Sequence, residues 1–249
     1  MLFYRYRDDE AQIVVYSTTD LSVLRRLLVP GPDNLNLFDI ASCAEKQCLY
    51  ISNFSDPLDY SERQNACIHR LGLDGSVSKW LVQVAEPMSM SVMHNCNLLV
   101  RCNQADDSSK LVEISTNTGD CIREIALDSD LKSVLLGIQL DGDQYVILYH
   151  LAKNRVSQVD TGGRIICSAD EAARLDTPFD MTLDRDKFLF VADIAMCRVV
   201  LLDPSLNYVR DVVMEEWDCQ PESLSYDDNA RRLYVGDNFL LNRIVVVQL

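Results

Sequence analysis

Residues 179–213 decide the fold. They run Phe179-Asp180-Met181-Thr182-Leu183, a polar turn Asp184-Arg185-Asp186, Phe188-Leu189-Phe190-Val191-Ala192, then Arg198-Val199-Val200-Leu201-Leu202, then Tyr208-Val209-Arg210-Asp211-Val212-Val213. Short runs rich in Val, Phe, Leu and Tyr, bounded by polar turns, are strand signals. The stretch predicts four consecutive antiparallel strands, each too short to stand alone.

Working outward, the same unit recurs. Its second strand reappears as Leu49-Tyr50-Ile51, Leu98-Leu99-Val100, Tyr145-Val146-Ile147, Leu189-Phe190-Val191 and Leu233-Tyr234-Val235. Centred on Tyr50, Leu99, Val146, Phe190 and Tyr234, the intervals are 49, 47, 44 and 44 residues. The first strand keeps step through Ile40, Met90, Ile138, Met181 and Leu224. A turn follows the third strand at Gly75, Gly119 and Gly163, 44 residues apart, with Asp203-Pro204-Ser205 in the next unit. A four-stranded unit repeating every ~40–50 residues is the signature of a β-propeller, in which neighbouring sheets bury each other's faces.

The expectation is therefore an all-β, single-domain propeller over residues 1–249, with approximate units 1–34, 35–86, 87–131, 132–176, 177–219 and 220–249. Six blades are favoured. Residues 3–29 and 224–249 offer three strands each, so the first blade lacks its inner strand and the last its outer one. The alternative has five blades, the two ends merging into one. Helix is expected only at Ser168–Leu175, as two turns, and at Asp128–Val134.

Composition excludes several classes. The 249 residues carry 23 Lys and Arg against 38 Asp and Glu, a net charge of −15, with 48% hydrophobic residues. That apolar content is too high for a disordered chain. No apolar run approaches the ~20 residues that span a bilayer. Residues 1–25 lack the apolar core of a secretory signal, and the acidic surplus argues against a phosphate backbone as partner. Nine cysteines without a C-x-x-C pattern read as free thiols in a reducing compartment. The expectation is a cytoplasmic protein with no membrane association.

The stretch Phe190-Val191-Ala192-Asp193-Ile194-Ala195-Met196-Cys197-Arg198-Val199-Val200 resembles an NHL repeat. A second copy is Leu233-Tyr234-Val235-Gly236-Asp237 through Asn242-Arg243-Ile244-Val245. A weaker one is Leu49-Tyr50-Ile51-Ser52 with Cys67-Ile68-His69-Arg70-Leu71. Met196 stands where the repeat carries Asn, and the resemblance is concentrated in residues 177–249. It implies a six-bladed propeller of the TolB-like superfamily that serves as a protein-interaction scaffold. Asp193 and Asp237, with Arg198 and Arg243, are expected to form charge-assisted pairs that tie strands together.

No G-x-S-x-G, P-loop or G-x-G-x-x-G occurs. His69, His94 and His150 are the only histidines, and His69 and His150 read as strand residues. The favoured reading is non-catalytic, without a cofactor. Six-bladed propellers also include metal-dependent lactonases and gluconolactonases, which hold a metal at the ring centre. Under that alternative the Ca²⁺ ligands would be Asp39, Asp180 and Glu222, near the starts of three inner strands, because hard cations need several oxygens together. For the favoured reading the binding elements are loops. Segment 53–65 offers Phe54 and Tyr60 as aromatic anchors. Segment 214–218 offers Trp217 between Glu215 and Glu216, suited to a basic protein partner.

Overall fold

A computed structural model describes residues 2–7, 10–20, 22–28, 36–54, 67–72, 74, 76–81, 86–103, 109–125, 134–141, 144–149, 154–212, 220–237 and 243–249. The chain divides into two compact units, Met1–Glu124 and Ile125–Leu249.

The first unit holds three antiparallel sheets in chain order. They are β1 (Leu2–Arg7), β2 (Glu10–Tyr16), β3 (Val23–Leu28); β4 (Asn36–Cys43), β5 (Cys48–Phe54), β6 (Cys67–Gly72), β7 (Val77–Leu81); and β8 (Glu86–Val92), β9 (Leu98–Asn103), β10 (Ser109–Ile114), β11 (Cys121–Ile125). The second unit repeats the plan. Its sheets are β12 (Val134–Asp141), β13 (Gln144–Tyr149), β14 (Arg155–Asp160), β15 (Ile165–Ser168); β16 (Pro178–Leu183), β17 (Leu189–Asp193), β18 (Arg198–Leu202), β19 (Tyr208–Val212); and β20 (Pro221–Asp227), β21 (Arg232–Asp237), β22 (Arg243–Gln248). Among the described residues four sheets are four-stranded and two are three-stranded, as the strand pattern of the sequence predicts.

The central strands are apolar at successive positions because both of their faces are covered. On β5, Leu49 and Ile51 pack with Ile13 and Leu71, while Tyr50 points the other way into a cluster with Met90, Leu98, Val100 and Val112. On β17, Leu189 and Val191 join Met181, Val200 and Leu136, while Phe190 packs with Leu233 and Val235. The Phe190 ring also stacks on Tyr226, centroids 5.1 Å apart. Burying a Leu, Val or Phe side chain contributes roughly 1.5–3 kcal/mol, so these interleaved faces hold successive sheets together within each unit.

Turns after the third strands are built on aspartates. Asp160 Oδ1 accepts from the N–H groups of Gly162 and Arg164, and Asp203 Oδ1 from those of Ser205 and Asn207. Gly119 and Gly163 sit at φ 81° and 75°, where a Cβ would be strained.

The helix expected at 168–175 is only one 3-10 turn, Glu171–Ala173. Asp170 caps its start by accepting from Ala173 N, and Arg174 ends it in the left-handed region at φ 42°. The carbonyls of Ala173 and Arg174 accept from Arg198 Nη2 instead of continuing a helix. Residues 128–133 of the second expected helix lie outside the described residues, and Val134 begins β12. No helix among the described residues is long and apolar enough to cross a membrane.

Candidate functional site

The first strands of the second to sixth sheets, β4, β8, β12, β16 and β20, carry a register shift near their start. A bulge inserts one residue and re-aims its neighbours. On β4 the inserted residue is Phe38 and on β16 it is Phe179, so Asp39 and Asp180 follow the bulge at equivalent positions.

The two aspartates make the same pair of bonds. Asp39 Oδ1 accepts from Ile40 N at 2.7 Å, and Oδ2 from Met90 N on β8 at 2.6 Å. Asp180 Oδ1 accepts from Met181 N at 2.8 Å, and Oδ2 from Leu224 N on β20 at 2.6 Å. Each carboxylate thus clasps the first strand of its own sheet to that of the next. Both oxygens face N–H donors, whose partial positive charge opposes a cation at the same lone pairs.

Glu222 is not their equivalent. On β20 the inserted residue is Glu222 itself, and Ser223 holds the position after the bulge. The structure therefore places Asp39 and Asp180 in clasps and Glu222 on the bulge. Among the described residues, no group of three or more His, Cys, Asp or Glu is arranged to hold a metal ion.

Burial pushes the Asp39 carboxyl up to about 6, against the pull of the Met90 and Ile40 N–H groups. A carboxyl that holds its proton more tightly folded than unfolded stabilises the fold fully below about pH 4 and loses that contribution as pH rises through about 6. The loss is on the order of 2–3 kcal/mol. Asp39→Asn removes this titration. The stability difference between wild type and Asp39→Asn, from urea unfolding at stepped pH, should change by that amount between about pH 4 and 6. Parallel curves would contradict the burial argument.

The second recurring pair sits where the second strand hands over to the third. Asp193 is fully buried and pairs in register with Arg198. Arg198 reaches Asp193 Oδ2 through Nε (3.1 Å) and Nη2 (3.0 Å), and both oxygens of Asp211 through Nη1 (2.9 and 3.1 Å). Asp193 Oδ1 accepts from Asp176 N. Burial would lower the guanidinium pKa, but the bonds it donates to Asp211 and Asp193 raise it. Burial raises the Asp193 carboxyl. Asp237 and Arg243 repeat the pair, with Nε to Oδ2 at 3.3 Å. These are strand ties, as the motif implies.

Segment 53–65 springs from Asn53 on β5 and returns at Cys67 on β6, which pair across the sheet. A buried cluster the sequence did not disclose lies at this base. Cys67 Sγ is 3.3 Å from His69 Nε2, and Asn53 Nδ2 is 3.9 Å from the same sulfur. Burial raises the Cys67 thiol and lowers His69, so both are neutral near pH 7. The strand alternation predicts that Cys67 and His69 share a face; only the pairing of β5 with β6 brings Asn53 to them. The side chains of Phe54, Tyr60, Glu215, Glu216 and Trp217 lie outside the described residues, as does His150. All eight described cysteines are free.

No protein-family model and no curated protein matches this sequence. Solved structures do resemble it. A chain of a nidogen–laminin complex is 16% identical with a TM-score of 0.69, covering 100% of this chain and 88% of that one. A Bacteroides caccae protein of unknown function is 14% identical with a TM-score of 0.68, covering 91% and 78%. Virginiamycin B lyase from Staphylococcus aureus is 12% identical with a TM-score of 0.59, covering 97% and 78%. At such identities the likeness speaks for fold alone, and the fold is a β-propeller.

Proposed function

We propose that this protein is a non-catalytic, six-bladed propeller of NHL type that binds a partner protein through the segments joining its strands. In this reading the six consecutive sheets are the six blades. One observation carries the functional part. The inner-strand aspartates that a propeller hydrolase would devote to a metal are here bonded to backbone N–H groups, Asp39 to Ile40 and Met90, Asp180 to Met181 and Leu224. Carboxylates committed to the fold leave the connecting segments as the variable chemistry of the scaffold.

Segment 53–65, with Phe54 and Tyr60, is the principal binding element, and segment 214–218, with Glu215, Glu216 and Trp217, suits a basic partner. The negative net charge would speed encounter with such a partner and weaken with salt. The test replaces residues 55–65 with an Asn-Gly turn, which closes an antiparallel pair without the segment. Partners captured from extract by the full chain should be lost by the shortened chain while its unfolding curve is unchanged. Equal capture by both forms would overturn the assignment of this segment.

A further inference from the structure

Three thiols meet where the second and third sheets touch. Cys43 ends β4 and pairs in register with Cys48 at the start of β5. Cys96 lies in the turn between β8 and β9, and its thiol is within hydrogen-bond reach of Cys43. All three belong to one buried cluster with Tyr50, Met90 and Leu98. The Cys96 thiol also donates to Glu45 Oε2 at 3.1 Å.

The turn itself does not call for a thiol. Cys96 has φ 61°, and Gln47, Lys187 and Arg231 hold the same left-handed position in the corresponding hairpins, three residues before Tyr50, Phe190 and Tyr234. Those three are polar and none is buried, whereas Cys96 is 8% exposed. A left-handed position favours Gly or Asn, so the backbone gives no reason for Cys96; its contact with Cys43 does. The turn is also fixed in place. Cys96 N donates to Met93 O, and Cys96 O accepts from Thr116 Oγ1. Lys46, beside Glu45, donates to Thr116 Oγ1 and Asn117 Oδ1.

We propose that Cys43 and Cys96 form a redox-sensitive pair, which hydrogen peroxide converts to a disulfide locking β4 to the β8–β9 turn, with Glu45 as its guard. Cys96 reacts first, because it adjoins exposed Glu45 while Cys43 is 4% exposed. Its sulfur attacks a peroxide oxygen, giving a sulfenic acid and one water. The Cys43 sulfur then attacks the sulfenic sulfur and displaces hydroxide, which leaves as a second water with the remaining thiol proton. Two thiols and one hydrogen peroxide thus give one disulfide and two waters. Glu45 sets the threshold. Its hydrogen bond, with burial, pushes the Cys96 thiol up to about 12, and only the thiolate attacks. The Asp39–Met90 clasp already joins β4 to β8 at the start of β4; the disulfide adds a tie at its end.

The test uses the full chain with Cys121→Ser and Cys197→Ser, which removes the exposed thiols. The reduced protein is treated with hydrogen peroxide and mapped by mass spectrometry without reductant. Cys43 should be joined to Cys96 within single chains. Tm should rise by about 5 °C or more, because the bond restricts the unfolded chain, and dithiothreitol should reverse the rise. Cys43→Ala should abolish the shift. Glu45→Gln should speed disulfide formation about threefold or more, which a purely packing role for Glu45 would not do. Four results overturn the proposal: no Cys43–Cys96 bond, Cys43 joined to Cys48 instead, an equal rise in Cys43→Ala, or an unchanged rate in Glu45→Gln. The map of the chain with Cys43 intact decides even where Cys43→Ala lowers the starting Tm. Replacing residues 55–65 leaves every one of these outcomes as it is, so the segment proposal and this one fail separately.

Discussion

Arg198→Met is expected to destabilise the protein by about 3–5 kcal/mol, the usual cost of removing one partner from a buried ion pair. The guanidinium serves four acceptors at once: Asp193, Asp211, and the carbonyls of Ala173 and Arg174. Methionine fills much of the volume but leaves the Asp193 carboxylate buried with no counter-charge. The variant should therefore recover part of its stability at low pH, where Asp193 takes a proton. Adding Asp193→Leu should also restore part of the loss, because the stranded charge is then gone. Urea unfolding of the single and double variants measures both effects. A double variant as unstable as the sum of the two singles would contradict the pairing.

Asp180→Ala should cost about 3 kcal/mol, because two N–H donors lose a charged acceptor together. Those donors lie on different sheets, Met181 on β16 and Leu224 on β20. The loss is therefore expected to loosen the contact between sheets more than either sheet. Amide exchange should accelerate at Leu224 and along β20, while the centre of β17 keeps its protection. Asp180→Asn should retain part of the stability, since its carbonyl can still accept from one N–H. Uniform acceleration across all strands would mean that the carboxylate is not a local clasp.

Much of this architecture is legible in the sequence because it rests on local pattern. Runs such as Leu189 to Ala192 are apolar at every position, and the burial of that strand on both faces is the reason. The Asp–Arg ties are legible because in each unit an Asp ends the second strand and an Arg opens the third, Asp193 with Arg198 five residues on and Asp237 with Arg243 six residues on. The clasps are not. Asp39 meets Met90 across 51 residues and Asp180 meets Leu224 across 44, and nothing local to either aspartate marks its partner. Glu222 shares with them only a place near the start of an inner strand; it stands two residues before Leu224, where Asp39 and Asp180 stand one before Ile40 and Met181, so it aligns with the inserted Phe38 and Phe179 and not with the clasps. The short helical stretch failed for a similar reason. Ser168–Leu175 has good local helix composition, but distant Arg198 takes the carbonyls that a longer helix would need.

The central claim is that the inner-strand carboxylates serve the fold and not a metal. Calorimetric titration of the full chain with Ca²⁺, up to about 5 mM to reach the weakest protein sites, tests it most directly. The account predicts no binding heat and an unchanged Tm. Stoichiometric binding that is lost in Asp180→Asn would contradict it and restore the hydrolase alternative.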